Sequence, residues 1–146
     1  MKDEYPTAPL VIGEGDEPKL TDPQQNLSAG YGMELISPGA DQTVKHGERI
    51  EFAGIELEVR DTPGHSAGHV VFVTEAEESL VVLGGDVLFA GSIGRTDFPD
   101  SSYDDLERSI RDQLYTLPDN TVILPGHGPP TEVGHEKAHN PFVRPA

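Results

Sequence analysis

Cysteine is absent from the 146-residue chain. No disulfide can staple the fold, and no thiolate is available as metal ligand or nucleophile. Basic residues are scarce: Lys and Arg total 10 against 26 Asp and Glu, a formal net charge of -16. So acidic a surface repels phosphate backbones and anionic headgroups, so neither nucleic acid nor a membrane surface is expected as a partner. No apolar run approaches the length that spans a bilayer. The opening Met1-Lys2-Asp3-Glu4-Tyr5-Pro6 does not read as a signal peptide, and the cytoplasm is the expected compartment. Internal repeats and low-complexity segments are also missing.

What is present suits one soluble globular domain over residues 1–146, with a hydrophobic share of 35% before glycine is counted. Pro9 to Ile12 reads as a short strand, and Gly13 to Gly32 as loop with one helical turn around Gln24 to Ser28. Ile50 and Phe52, then Ile55, Leu57 and Val59, alternate with polar neighbours on either side of Ala53-Gly54. That is period two, hence a hairpin with one wet face. His46 lies just before it and is expected at the surface. Strands follow near 69–74 and 80–85. Ser101-Ser102 opens a helix with Asp104 and Asp105 in its first turn, and Tyr103, Leu106, Ile110, Leu114 and Leu117 fall on one stripe until Pro118 stops it. A strand at 121–124 and a short helix near 132–138 complete the chain.

Three stretches carry the chemistry. Thr62-Pro63-Gly64-His65-Ser66-Ala67-Gly68-His69 is a tight turn entering a strand, because Pro63, Gly64 and Gly68 disfavour a helix. Leu80 to Gly85 is an apolar strand that ends in Asp86, and Thr121 to Leu124 is another, followed by Pro125-Gly126-His127. His65, Asp86 and His127 thus each sit on a loop beside a strand. Imidazole with carboxylate is the ligand set of a zinc, iron or manganese hydrolase site. The bland alternative is that Asp86 caps its turn and the histidines merely pack. His69 reads as structural, hydrogen-bonded near the turn. Arg95 and Asp97 read as a local ion pair shaping a glycine-rich loop, with substrate contact as the sharper alternative. His135-Glu136-Lys137-Ala138-His139 fits the His-Glu-x-x-His pattern of zinc proteases. Asn140-Pro141 ends that helix at once and no third ligand follows, so it reads as a decoy.

The set resembles the metallo-β-lactamase superfamily, and within it the small glyoxalase II-like hydrolases. The likeness rests on residues 62–69, on Gly84-Gly85-Asp86-Val87-Leu88-Phe89, on Gly91 to Pro99, on Leu124-Pro125-Gly126-His127-Gly128-Pro129 and on Asn140-Pro141-Phe142. It implies an α/β fold, a partial αββα sandwich. It further implies that His65 binds one metal, His127 a second, and that Asp86 bridges them and serves catalysis. A shared hydroxide would then attack a polarised thioester or ester carbonyl of a small-molecule substrate. Zinc is the expected metal, with iron or manganese as alternatives. The family's first ligand motif, His-x-His-x-Asp-His, is nowhere in this sequence. The expectation is therefore an N-terminally truncated family domain without its first strands and first helix. Its activity alone is expected to be impaired, or else it is a non-catalytic half-site that another chain completes. A sheet face and strand edge left open by such a start predict a homodimer.

Overall fold

The computed structural model describes residues 4–145. The chain forms two units, divided between Val44 and Lys45. In the first, β1 (Val11–Gly13) pairs in parallel with β2 (Gln42–Val44). The Asp41 carboxylate accepts the Leu10 amide at 2.7 Å and ties the two strand entrances together. The stretch expected as loop contains a 3₁₀ helix at Glu14–Leu20. Acids crowd its first turn, Lys19 stands in its last, and Lys19 pairs with Asp16 at 2.7 Å. The helical turn expected at Gln24 to Ser28 lies further on, as a second 3₁₀ turn at Ser28–Tyr31.

The second unit is built on six strands. The expected hairpin is β3 (Arg49–Phe52) with β4 (Ile55–Asp61). Ala53 at φ 52° and Gly54 at φ 80° supply the two left-handed residues that a tight two-residue hairpin turn needs. Then come β5 (Val70–Glu75), β6 (Leu80–Gly85), a small hairpin of β7 (Leu88–Phe89) and β8 (Ser92–Ile93), and α1 (Tyr103–Ser109). β9 (Val122–Pro125), β10 (Thr131–Glu132) and α2 (Val133–His139) close the unit. The sheet order is β10-β9-β6-β5-β4-β3, with β6 and β9 parallel and the other pairs antiparallel.

Core packing follows the patterns. Val71, Val73, Val82 and Ile123 from the sheet meet Leu106, Ile110 and Leu114, and all are buried. Ser102 caps α1, its Oγ accepting the Asp105 amide at 3.2 Å. Tyr103 departs from the expected apolar stripe: it is exposed, and its hydroxyl donates to the Phe142 carbonyl at 2.8 Å. After Ser109 the helix widens into a π turn at Ile110–Leu114, closed by the Tyr115 amide on the Ile110 carbonyl at 2.8 Å. The extra residue in that turn leaves Leu114 and Tyr115 both buried. Strand register places Val59, Phe72, Leu83 and Leu124 on the sheet face opposite the core. No helix among the described residues is long and apolar enough to cross a membrane.

Candidate metal centre

Strand direction explains why three distant loops meet. β4 is antiparallel to β5, β5 to β6, and β6 is parallel to β9. The C-terminal ends of β4, β6 and β9 therefore lie at the same end of the sheet. His65 follows β4, Asp86 follows β6 and His127 follows β9.

The turn carrying His65 is held on all sides. The Thr62 amide donates to the His69 carbonyl at 2.8 Å, Ser109 Oγ to the Pro63 carbonyl at 2.8 Å, and Ser101 Oγ to the His65 carbonyl at 2.7 Å. Gly64 has φ 133°, and a Cβ there would run into the backbone of Leu106, so only glycine lets the turn lie against α1. His65 Nδ1 lies 3.1 Å from the Arg95 carbonyl. A carbonyl can only accept, so Nδ1 carries the proton and the Nε2 lone pair is left facing Asp86.

His65 Nε2 and His127 Nε2 flank the same carboxylate oxygen, Asp86 Oδ2, at 3.8 and 3.7 Å. Both separations are too long for hydrogen bonds. Two ligands each about 2.1 Å from one shared ion stand roughly 3–4 Å apart, so each gap suits an ion between imidazole and carboxylate. The donors are imidazole nitrogen and carboxylate oxygen, a set that suits zinc, iron or manganese. It is also incomplete. No group of three or more His, Cys, Asp or Glu side chains among the described residues closes into a full set for one ion. Each ion would have two protein ligands from this arrangement, where catalytic zinc usually has three.

His69 acts on the backbone. The Asp86 amide donates to its Nε2 at 3.1 Å, so Nδ1 carries the proton and donates to Thr62 Oγ1 at 2.7 Å. Thus His69 links the His65 turn to the residue whose carboxylate lies between the two imidazoles. Arg95 clamps Asp97 through two bonds of 2.7 and 2.8 Å and lies 4.2 Å over the Phe98 ring. Hydrogen bonding from Arg95 holds the Asp97 carboxyl below the usual carboxylate range. His46 is exposed, and its Nδ1 accepts the Asp61 amide at 3.1 Å. The His-Glu-x-x-His segment does not form a site: His135 and His139 stack at 4.8 Å on the exposed side of α2 while Glu136 is buried on the other.

Two features escaped the sequence. Phe89 stacks on His127 at 4.5 Å, a contact between residues 38 positions apart by their numbering. A Cβ on Gly126 would stand 2.5 Å from Asp86 Oδ1, so this glycine makes room for the carboxylate; the Gly-Gly-Asp and Pro-Gly-His sequences were the available signal. A cavity of about 410 Å³ opens here, lined by His65, Asp86, Phe89, Ile93, Arg95 and His127 among others.

A family model described as the metallo-beta-lactamase superfamily matches residues 3–127. The chain belongs to that superfamily. It is 40% identical over 147 residues to a probable metallo-hydrolase of Streptococcus pyogenes, covering 97% of this chain and 62% of that protein. It is 44% identical over 99 residues to hydroxyacylglutathione hydrolase GloC of Haemophilus influenzae, covering 68% of this chain and 46% of that protein. Among solved structures it is similar to BLEG-1 B3 metallo-beta-lactamase, with a TM-score of 0.87, 33% identity, and coverage of 97% of this chain and 68% of that one. It is also similar to TTHA1623 in a di-iron-bound form, at a TM-score of 0.77 and 32% identity, over 96% of this chain and 67% of that one. The chain thus spans about three fifths of the length of the first of these relatives. The superfamily is metal-dependent, and the α/β architecture of this chain, with its mixed sheet and few helices, is that of its structural neighbours.

Proposed function

We propose that this chain carries one half of a two-metal hydrolase centre of the glyoxalase II type, acting on a small thioester or related ester. The observation that carries it is the pair of imidazoles on either side of one Asp86 oxygen, at 3.8 and 3.7 Å. His65 would hold one ion, His127 the other, and Asp86 both; zinc is the first choice, with iron or manganese suited to the same donors. Such ions supply Lewis-acid polarisation of a carbonyl and a nucleophile at neutral pH. The chain's own part is positional. Arg95 fixes the His65 tautomer through its carbonyl, His69 fixes the Asp86 backbone, and Phe89 and Ile93 give the cavity an apolar wall. The similarity to a protein named hydroxyacylglutathione hydrolase supports the substrate class.

A second reading has its own support. The sequence contains no His-x-His-x-Asp-His, and no three-residue ligand set closes among the described residues. On that ground the chain alone is a silent half-site. Hydrolysis of lactoyl-glutathione by the isolated chain, with zinc, manganese or ferrous iron added, separates the two. Little or no turnover is the result the silent half-site predicts. Turnover abolished by Asp86→Ala would instead support the hydrolase reading and show that further residues complete the ligand set.

A further inference from the structure

Glu136 is fully buried, and the donors that reach its carboxylate come from three places in the fold. Thr131 Oγ1 donates to Oε1 at 2.6 Å from β10. The Gly91 amide donates to both oxygens, at 3.2 and 3.0 Å, from the tip of the β7–β8 hairpin. Asn140 Nδ2, just past α2, donates to Oε2 at 2.8 Å. Asn140 is itself buried and spans the same gap, since its Nδ2 also donates to the Ser92 carbonyl at 3.1 Å. Its Oδ1 accepts the Phe142 amide at 2.9 Å and the Val143 amide at 3.3 Å, which fixes the orientation of the amide.

The two-residue hairpin tip, Ala90-Gly91, is therefore held from both sides, through the Gly91 amide and the Ser92 carbonyl. Gly91 is at φ 67°, a conformation that suits glycine at a hairpin tip. Phe89 and Ser92 are the facing pair of that hairpin, and both line the cavity beside His65, Asp86 and His127. Phe89 carries the stack on His127, with ring centroids 4.5 Å apart and planes at 26°. The His127 side chain is 72% exposed. An exposed imidazole has free rotamers unless a neighbour restricts them, and the Phe89 ring is such a neighbour. A buried carboxylate is costly unless hydrogen bonds compensate it, and here part of that compensation comes from the hairpin tip.

We propose that Glu136 is a positioning residue for the metal centre: it pins the β7–β8 hairpin so that Phe89 holds the His127 imidazole towards Asp86. This deepens the assignment of His127 as a ligand and rests on it. The test reads geometry without metal, so a failure of metal binding and a failure of positioning remain distinct. In the metal-free full chain, the six histidines give ring signals in a proton–carbon spectrum. Stacking on Phe89 displaces those of His127 upfield, and Phe89→Leu marks the unstacked position. Glu136→Gln turns one acceptor oxygen into a donor facing donors. With folding retained, it should take the His127 signals most of the way to the Phe89→Leu position while those of His46 stay put. His127 signals unmoved in a folded Glu136→Gln chain would overturn the proposal. Should that variant not fold, Thr131→Val withdraws one donor from the same carboxylate. It should move the same signals in the same direction by less, and no movement overturns the proposal equally.

Discussion

Tyr115 lies buried with its hydroxyl donating to the Val143 carbonyl at 3.1 Å, and it shows how single side chains here are tuned by what surrounds them. Burial first, and the negative charge of Glu136 second, push its phenol from 10.0 up to about 12. The folded chain keeps a proton that the unfolded chain loses above about pH 10. The linked stability is therefore fully present below about pH 10 and falls as pH rises from there towards about 12. Tyr115→Phe should flatten that fall, at the cost of about 1 kcal/mol at neutral pH from the lost hydrogen bond. Urea midpoints measured from neutral to alkaline pH check both, and a variant that declines as steeply as the parent contradicts the assignment. At this scale the sequence was partly legible. His65, Asp86 and His127 stood out because each has a glycine close by at a strand end. Phe89 and Glu136 did not, because their partners come from remote segments and no local pattern encodes such a contact.

Among the elements, α1 does most to hold the site, since Ser109 and the close approach at Gly64 bind the His65 turn to it, and Ser101, just before its cap, adds a third contact. Leu106 is fully buried under that turn. Leu106→Ala should cost about 2–5 kcal/mol, the range for emptying a well-packed leucine site. A urea melt gives the value, and a loss within experimental error would mean the turn does not depend on the helix. Strands and helices with a clean period were readable: the β3–β4 hairpin from its alternation, β6 and β9 from their apolar runs, α1 from its stripe and cap. Others were hidden for physical reasons. The 3₁₀ helix at Glu14–Leu20 has no apolar period, with Pro18 inside it. The π turn after α1 answers a packing demand at Leu114 and Tyr115 that a stripe cannot show. The parallel pairing of β1 with β2 joins segments about 30 residues apart, and three-residue strands leave little pattern to read.

For the whole molecule, two exposed leucines and the net charge pull in opposite directions. Leu83 and Leu124 are paired in register on the sheet face away from the core, at 42% and 39% exposure. We propose that this face drives homodimer formation. Apolar burial is worth about 25 cal/mol per Å², whereas repulsion between chains of net charge -16 is screened within about 8 Å at physiological salt. Light scattering should give a dimer mass that strengthens with salt, and a monomer at high concentration in both low and high salt would contradict it. In the proposed centre, one carboxylate oxygen joins two imidazoles from remote loops into one metal-binding unit. Titration of the full chain with substoichiometric manganese, followed by broadening of the histidine ring signals, tests this directly. His65 and His127 should broaden together and ahead of His135 and His139, and Asp86→Asn should abolish the effect at both. Broadening that begins at His135 and His139, or that survives at His65 and His127 without the Asp86 carboxylate, would rule out a centre built on Asp86.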